Sequence, residues 1–329
     1  MVESGSSIQT FLTCPKLYWF KYVKCLEGRA YSSPLGFGTF FHAEVERFAG
    51  GRIDGTEQEY ARFLSTKLQE YRQQIDIDRR LAERYFELWK AVWASGHPFD
   101  NNQFEWLAAE REWVFSLGES DDGLAGKSDG LVRHKPTGAI FLYELKTATD
   151  RDREGYVHRL ELDRQVSANL LALKAEGIDA QGVLYDVAWK PAIRRLTGRK
   201  TKPDETPEEF ADRMIQTVAE NPPEFFQRQM IYRSESVLSD YRADLGLQFE
   251  AIHRARQKGF YRNTGSCNDF GRLCAFFGLC LEGREDMEEL YAKRDRKLPE
   301  LSKEIQDRKA PELLREEMGK AEVPATDKD

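Results

Sequence analysis

Two acidic residues and a lysine lie close together in the middle of the 329-residue chain. Asp129 precedes Glu144 by 15 positions, and Lys146 follows two positions after Glu144. In a strand, alternate side chains share one face, so Glu144 and Lys146 would interrupt an otherwise apolar face. A buried carboxylate and a buried ammonium cost free energy unless they pair with each other or hold a ligand. These three residues are therefore the first candidates for chemistry.

A hairpin between the strands that carry Asp129 and Glu144 would bring both carboxylates within reach of one divalent cation. Magnesium prefers one or two carboxylates together with water and phosphate oxygens, and a lysine beside it can orient or activate an attacking water. The spacing thus suits phosphodiester hydrolysis. The alternative is that Glu144 and Lys146 form an ordinary surface pair and Asp129-Gly130 a turn, because such a pattern is common by chance.

Changes in the hydrophobic period indicate the elements that must position these residues. Short apolar or alternating runs between turn residues predict three adjacent antiparallel strands at 104–117, 124–134 and 139–147. Helical spacing follows over 160–176, and alternation returns at 181–189. The order strand, strand, strand, helix, strand predicts an α/β core.

Helices are predicted on both sides of this core. Residues 6–27 are rich in aromatic side chains and are interrupted near Cys14-Pro15, and a second helix after a Gly-rich turn carries His42 and Glu46. A capping-box pattern precedes a helical pair over 57–95. Further elements are predicted as a helix from Thr206, a strand near 225–233 and a helix near 236–258.

Together these patterns resemble the PD-(D/E)XK nucleases, and within them the RecB-like exonucleases of bacteria and phages. The resemblance covers residues 6–281. It implies an α/β fold in which a mixed central sheet is flanked by helices, with helical additions at both ends. The motifs that carry the resemblance are Gly38-Thr-Phe-Phe-His42, Gly126-Lys-Ser-Asp129 and Glu144-Leu-Lys146.

The resemblance also implies a role for the residues of these motifs. Asp129 and Glu144 would bind Mg²⁺ or Mn²⁺, and His42 would complete the metal site. Lys146 would assist the water that attacks phosphorus. The implied substrate is DNA, single- or double-stranded, and the implied activity is that of an exonuclease at DNA ends.

Two positions of the family pattern are less clear in this chain. A helix that begins with glutamine follows the lysine in the family, and Gln165 occupies that place, but Asn169 stands where the family usually has a tyrosine. Gln165 is therefore either a catalytic-site residue that positions substrate or metal, or an ordinary helix surface residue. The family also often has a glutamate on the strand before the aspartate, and both Glu110 and Glu112 qualify.

Four of the five cysteines form a second candidate metal site. Cys14 lies near the start of the chain, and Cys267, Cys274 and Cys280 lie together some 250 residues later. Their spacing is not that of a zinc ribbon. Some RecB-like nucleases hold a structural 4Fe-4S cluster with one N-terminal and three C-terminal cysteines, so the resemblance implies such a cluster here. Bound zinc and free buried thiols are the alternatives, and Cys25 is expected to be a free thiol.

The charge distribution bears on the kind of partner. The chain has 56 acidic and 49 basic residues, a net charge of −7, which weakly disfavours nucleic acid. Residues 282–329 hold 15 of the acidic and 11 of the basic residues, so much of the excess is C-terminal. Residues 190–202, in contrast, hold six basic residues and no acidic one. The candidate DNA contacts in and beside this run are Trp189, Lys190, Arg194, Arg195, Arg199 and Lys200.

Composition excludes several classes of protein. With 40% hydrophobic and 32% charged residues the chain can form a core and a polar surface, which disfavours general disorder. No apolar run reaches the roughly 18 residues that a membrane span needs. The N-terminus lacks the pattern of a secretory signal, so we expect a cytoplasmic protein of a bacterial or phage-infected cell.

The sequence predicts one nuclease core with additions rather than two independent domains. The predicted parts are a helical N-terminal part at 1–103, the core at 104–235, a C-terminal helix with the cysteines at 236–283, and a charged, flexible tail at 284–329. No phosphate-binding motif of a helicase motor is present, so a separate helicase or recombination protein is a candidate partner. The alternative function is that of a non-catalytic DNA-binding or assembly protein that keeps this fold and the cysteine-bound metal.

Overall fold

A mixed sheet of six strands lies at the centre of the described part of the chain, as a computed structural model shows. The structure describes residues 1–94, 96–97, 99–117, 122–149, 152–198, 203–269, 272–282, 291–299, 301–302 and 305. The strands are β1 (Val2–Ser4), β2 (Leu26–Gly28), β3 (Phe104–Ser116), β4 (Gly123–His134), β5 (Ile140–Thr149), β6 (Ala180–Lys190), β7 (Phe226–Ile231), β8 (Asn268–Asp269), β9 (Arg272–Leu273) and β10 (Tyr291–Lys293).

In chain order, helices lie before, between and after the strands of the sheet. The α-helices are α1 (Gly5–Thr13), α2 (Pro15–Tyr18), α3 (Ser33–Phe48), α4 (Gly55–Thr66), α5 (Arg72–Val92), α6 (Arg153–Leu160), α7 (Arg164–Ala175), α8 (Pro207–Glu220), α9 (Pro222–Phe225), α10 (Glu235–Lys258) and α11 (Phe277–Glu282). A π-helical turn covers Trp19–Val23, and 3₁₀ turns cover Gln69–Tyr71, Asn101–Gln103 and Thr264–Ser266.

The sheet is antiparallel where hairpins join its strands and parallel where a helical connection joins them. Strand β3 pairs antiparallel with β4, β4 with β5, and β6 with β7. Strands β5 and β6 are parallel, and the chain crosses between them through α6 and α7. A parallel pair needs such a crossover, because a tight turn can join only antiparallel strands.

One edge of β4 has two different partners. Strand β1 pairs with it in parallel up to Ala125, and β5 pairs with it in antiparallel fashion from Gly130 onward. Asp129 therefore lies in the gap along β4 between the segment that pairs with β1 and the segment that pairs with β5. This separation opens the sheet at the middle of β4, so a side chain there can enter the space between strands.

Helix α3 forms one wall beside this opening. Ser32 precedes it, and Pro34 stands in its first turn, where a missing N–H costs nothing. Its apolar residues recur at helical spacing, and Phe37, Phe40 and Phe41 are buried against the sheet and α5. His42 follows directly after this buried run, so packing of the phenylalanines fixes the position of its side chain.

Most of the predicted core elements are confirmed. The predicted order and the antiparallel arrangement of β3, β4 and β5 are observed, as are the helices α3, α4, α5, α7, α8 and α10. The sequence did not predict β1 or α6. Strand β1 is three residues long and depends on pairing with residues 123–125, which no local pattern reveals.

The prediction of a frayed tail from residue 284 is wrong for the described part of that segment. Strand β10 pairs with β2, and Leu298 and Leu301 are each 1% exposed in the main core. The isolated leucines show no periodic stripe in the sequence. Their burial comes from contacts with residues far away along the chain.

Glu3 joins the N-terminal strand to this C-terminal segment. Its carboxylate is fully buried and accepts hydrogen bonds from the hydroxyls of Tyr18 and Ser7, each at 2.6 Å. The ammonium of Lys297 also donates to Glu3, and Arg256 lies 3.6 Å away. Four segments of the chain thus meet at one buried negative charge.

We expect Glu3→Gln to lower the free energy of unfolding by about 3 kcal/mol, because it leaves a largely buried lysine without its counter-charge. Chemical denaturation measures the change. Asp212→Asn is the matched control, because it removes an exposed ion pair. The side chain of Asp212 is 69% exposed and that of its partner Arg84 is 48% exposed. That control should cost less than about 1 kcal/mol. Equal losses in the two variants would contradict the assignment of Glu3 as a structural centre.

Candidate active site

Asp129 occupies the opening in the sheet. One carboxylate oxygen, Oδ2, accepts a hydrogen bond from the backbone N–H of Leu145 at 2.8 Å. The other, Oδ1, lies 3.2 Å from Nδ1 of His42. Asp129 therefore links β4 to the diverging part of β5 and to helix α3. The sequence placed Asp129 at a strand end, but it lies within β4, at the point where pairing with β5 stops.

The surroundings of Asp129 favour its ionised form. Burial raises the pKa of this carboxyl, but the charge and hydrogen bond of His42, the charge of Lys146 and the Leu145 N–H lower it more. The result is a pKa of about 2. Asp129 is thus a carboxylate at neutral pH and can act as an oxygen ligand or an acceptor.

Glu144 lies on the neighbouring strand and is fully buried. Its Oε1 pairs with the ammonium of Lys146, and its Oε2 accepts a hydrogen bond from Nδ2 of Asn169 at 3.2 Å. Burial raises the pKa of Glu144, with a further contribution from the charge of Asp129, although Lys146 acts in the opposite direction. The two acidic residues therefore repel each other at this site, and the ion pair with Lys146 offsets the repulsion.

Lys146 contacts both β5 and helix α7. Its Nζ donates to Oε1 of Gln165 at 2.9 Å in addition to its pair with Glu144. Burial lowers the pKa of Lys146, but the charges of Glu144 and Asp129 raise it to a net value above that of free lysine. Lys146 is therefore a fixed positive charge. The structure brings together His42, Asp129, Glu144, Lys146 and Gln165, all of which the sequence predicted as site residues.

Asn169 and Trp113 are site residues that sequence reasoning did not find. Both side chains are buried, and Nε1 of Trp113 donates to Oδ1 of Asn169 at 2.8 Å. Trp113 stands opposite Gly126 in the β3–β4 pair, and its ring covers that glycine. The sequence signal was the departure at Asn169 from the tyrosine usual in the resembled family. On a helix, however, an asparagine more often indicates a surface.

The chemistry of the donor set fits a hard divalent cation. Asp129 and Glu144 offer carboxylate oxygens and His42 offers an imidazole nitrogen, which suits Mg²⁺ or Mn²⁺. Across the described residues, no group of three or more His, Cys, Asp or Glu side chains is arranged to hold a metal ion. Each oxygen of Glu144 accepts one hydrogen bond, from Lys146 or from Asn169. A carboxylate oxygen has a second lone pair, so Glu144 can contact a cation while it keeps both partners.

A cleft of about 1380 Å³ leads to Asp129 and His42. Helices α3 and α4 form one side, and strands β3, β4 and β5 form the other. Segment 296–302 adds part of the wall. The charged residues that line the cleft are Arg52, Arg62, Lys127, Lys190 and Arg296, with Glu46, Glu59, Glu110, Glu112 and Asp129. Among the described residues that line the cleft, basic and acidic side chains are equal in number, so these residues give it no formal positive excess.

Glu110 and Glu112 both line the cleft, but their local surroundings differ. Glu110 has a φ of 49°, the left-handed conformation that is uncommon outside glycine, and it pairs with Lys127. Glu112 instead accepts a hydrogen bond from the N–H of Ser302 at 2.7 Å. Unusual backbone conformations cluster at functional sites, which favours Glu110 as the residue nearer to the chemistry.

The structure does not expose Trp189, which the sequence analysis gave as a candidate DNA contact. Its ring is fully buried, its Nε1 lies 3.3 Å from Oε1 of Gln227, and Tyr156 contacts it edge-on. Lys190 lines the cleft, where burial lowers its pKa and the charge of Asp78 acts in the opposite direction. Arg194 and Arg195 are exposed, whereas Arg199 and Lys200 lie outside the described residues.

The four predicted cysteine ligands approach one another. Cys14, Cys267 and Cys280 are all near enough to Cys274 for their charges to raise its pKa, in addition to the larger effect of burial. The backbone N–H of Cys274 donates to the carbonyl of Cys267 at 2.8 Å. The surrounding apolar cluster contains Phe20, Leu26, Phe276 and Leu279. Among the described residues, however, these cysteine side chains are not arranged in the geometry of a metal site.

A mixed sheet with two carboxylates and a lysine at its opening defines an α/β protein with an acidic, hydrolase-like site. The sequence model of the PD-(D/E)XK nuclease superfamily matches residues 3–281. Because the match covers most of the chain, the protein belongs to this superfamily. Superfamily membership makes it a nuclease-type hydrolase, with DNA as the implied substrate and with Mg²⁺ or Mn²⁺ as the metal such enzymes generally use.

The solved structures that match this chain are distant from it in sequence. A Eubacterium rectale protein described as a "putative exonuclease" is 11% identical with a TM-score of 0.44, and the alignment covers 85% of this chain and 87% of that one. The protein named SSO0001 is 13% identical with a TM-score of 0.32, covering 77% of this chain and 86% of that one. A search of curated proteins finds no match. In the described part of the chain, no helix combines the length and the apolar character that crossing a membrane requires.

We expect Gly126→Ala to lower the free energy of unfolding by about 1–3 kcal/mol, because the added Cβ would lie 2.3 Å from Cζ2 of Trp113. Chemical denaturation tests this. Gly246→Ala is the control, since nothing lies within 4 Å of its added Cβ and it stands inside α10. That substitution should stabilise the protein by about 0.5–1 kcal/mol. A loss of the same size at both glycines would show that the contact with Trp113 is unimportant.

Proposed function

We propose that the protein is a metal-dependent DNA exonuclease of the RecB-like branch. The observation that carries the proposal is the joint arrangement of Asp129, Glu144 and Lys146. Asp129 accepts the N–H of the residue between the other two, so the three residues meet where the sheet opens. A cleft of about 1380 Å³ leads to Asp129 and His42 at that opening.

Asp129 and Glu144 would hold Mg²⁺ or Mn²⁺ with His42 beside them. The cation would polarise the scissile phosphate and make a bound water more acidic. Lys146, a fixed positive charge, would orient the attacking water and stabilise the negative charge that develops on phosphorus oxygens. Gln165 would keep the ammonium of Lys146 directed toward the site.

The charge balance of the cleft supports a role for metal in substrate binding as well. Phosphates bind where positive charge exceeds negative charge, and the charges of the described residues that line the cleft are balanced. A divalent cation at Asp129 would supply the missing positive charge next to the scissile phosphate. Lys190 and Lys127 lie along the same cleft and would contact neighbouring phosphates. The exposed Arg194 and Arg195 are candidates for contacts with DNA beyond the cleft.

We expect the wild-type protein to digest end-labelled linear DNA when Mg²⁺ or Mn²⁺ is present, and to lose this activity with EDTA. Asp129→Ala and Lys146→Ala should each reduce the rate by at least about 100-fold, because each removes charge stabilisation at the reacting phosphate. The rate is measured from the products that form over time from single-stranded and from double-stranded substrates. Covalently closed circular DNA should resist, since an exonuclease requires an end.

The surface variant Asp212→Asn is the control and should digest DNA at the wild-type rate. Equal residual activity in the wild type, Asp129→Ala and Lys146→Ala would contradict the catalytic assignment. DNA binding without digestion in any metal would instead support the alternative, a non-catalytic DNA-binding or assembly protein. Rapid cleavage of the circle would identify an endonuclease. Repair, recombination and processing of phage DNA would all use such an activity, together with a helicase that supplies strand ends.

We further propose that Cys14, Cys267, Cys274 and Cys280 hold a structural 4Fe-4S cluster. Its support is the approach of three thiols to Cys274 beside an apolar cluster that limits access of water. Such a cluster would join the N-terminal helices to the region after α10. Zinc is the competing metal, because four thiolates suit both.

Anaerobically purified protein should be brown, absorb visible light and contain iron and acid-labile sulfide. Cys267→Ser should lose the colour and most of the iron, because the cluster loses a thiolate ligand. Cys25→Ser is the matched control and should keep both, since Cys25 lies outside the proposed set. A colourless protein with stoichiometric zinc, or one without metal, would contradict the cluster.

A further inference from the structure

We propose that Trp113 and Asn169 are positioning residues for Glu144, an inference that rests on the proposed function. Nε1 of Trp113 donates to Oδ1 of Asn169 at 2.8 Å, and Nδ2 of Asn169 donates to Oε2 of Glu144 at 3.2 Å. All three side chains are buried. We call this chain of two hydrogen bonds the Trp113–Asn169 relay.

The relay has a direction because an indole N–H can donate but cannot accept. Trp113 therefore requires that Asn169 turn its carbonyl oxygen toward the indole. The amide NH₂ group must then face Glu144. Oε2 of Glu144 receives a donor in every case, and Oε1 is left to Lys146. The two hydrogen bonds fix both the rotation of the asparagine amide and the orientation of the carboxylate.

Contact with strand β4 also fixes the position of the Trp113 ring. The indole of Trp113 lies directly over Gly126, where even one added carbon would approach it to 2.3 Å. Trp113 and Gly126 are register partners, so the ring cannot move toward β4. Only a position without a side chain accommodates the ring at this height.

Helix α7 carries two positioning contacts on one face. Gln165 and Asn169 are four residues apart, so their side chains point the same way. Gln165 accepts from Lys146, and Asn169 donates to Glu144. One helix thus holds the ammonium and the carboxylate of the same Glu-x-Lys motif. Where the resembled family usually has a tyrosine, this chain has an asparagine that depends on a tryptophan of β3.

Loss of the indole N–H should release the amide of Asn169. With phenylalanine at position 113, the carbonyl oxygen of Asn169 loses its buried donor, so the side chain is no longer held in one position. The hydrogen bond from Asn169 to Glu144 would then be less firmly placed, and the carboxylate would lose its defined orientation. Partners that hold a metal ligand in place are typically worth about 10- to 100-fold in metal affinity or activity.

The test compares Trp113→Phe with Trp89→Phe. Trp89 is also a buried tryptophan, and its Nε1 donates to Oδ2 of Asp186 at 2.9 Å, so this control loses an indole hydrogen bond that does not involve Asn169 or Glu144. Mn²⁺ binding without DNA is measured from the electron paramagnetic resonance signal of free Mn²⁺. Rates of DNA digestion give kcat and KM, and thermal unfolding shows that each variant is folded.

We expect Trp113→Phe to weaken Mn²⁺ binding about tenfold and, at saturating Mn²⁺, to lower kcat by a similar factor with KM for DNA unchanged. Trp89→Phe should retain wild-type Mn²⁺ affinity and kcat. Asn169→Leu, which keeps the size of the side chain and removes both hydrogen bonds, should reduce Mn²⁺ affinity and kcat at least as much as Trp113→Phe. It serves as the second measurement if Trp113→Phe does not fold.

Two other results separate the inference from the proposed function. An active wild type whose Trp113→Phe and Asn169→Leu variants match it in Mn²⁺ affinity and kcat would overturn the relay and leave the nuclease assignment in place. A wild type that neither binds Mn²⁺ nor digests DNA would overturn the proposed function and the relay together. Equal losses in Trp113→Phe and Trp89→Phe would show a purely structural effect and would also overturn the relay.

Discussion

The buried carboxylate of Glu144 is the constraint on which the site depends. A carboxylate without contact to water is costly unless charges and donors surround it. Lys146 supplies the charge and Asn169 supplies the donor. The indole N–H of Trp113 matches this orientation of the Asn169 amide, and the indole lies close over residue 126, which is glycine. The environment of Glu144 thus depends on residues of β3, β4 and α7.

The opening of the sheet has an equally local cause. The backbone N–H of Leu145 is turned toward Asp129 rather than toward a carbonyl of β4. A side chain therefore replaces a backbone partner where β4 and β5 separate. The sheet stays connected through this hydrogen bond while the strands diverge enough to form a cleft. Asp129 consequently contacts the backbone of β5 with one carboxylate oxygen and His42 with the other.

Much of the fold could be predicted from the sequence because its central elements have strong local signals. Strands β3, β4 and β5 alternate and are separated by turn residues, and helices such as α8 begin with caps that the sequence shows. The motif residues His42, Asp129, Glu144, Lys146 and Gln165 could be found from their order, although no single one of them was specific. Their roles in metal binding and catalysis remain predictions that depend on the experiments proposed above.

The features that escaped prediction depend on contacts between distant segments. Strand β1 and the buried Leu298 and Leu301 acquire their environment only from residues far away in the chain. Trp189 was misinterpreted because β6 alternates in sequence yet is buried almost throughout, as strands covered on both faces are. Asn169 was overlooked as a functional residue for the opposite reason. A polar residue on a helix normally indicates solvent, and only the position of Trp113 across the interface between β3 and α7 shows that this one faces a buried charge.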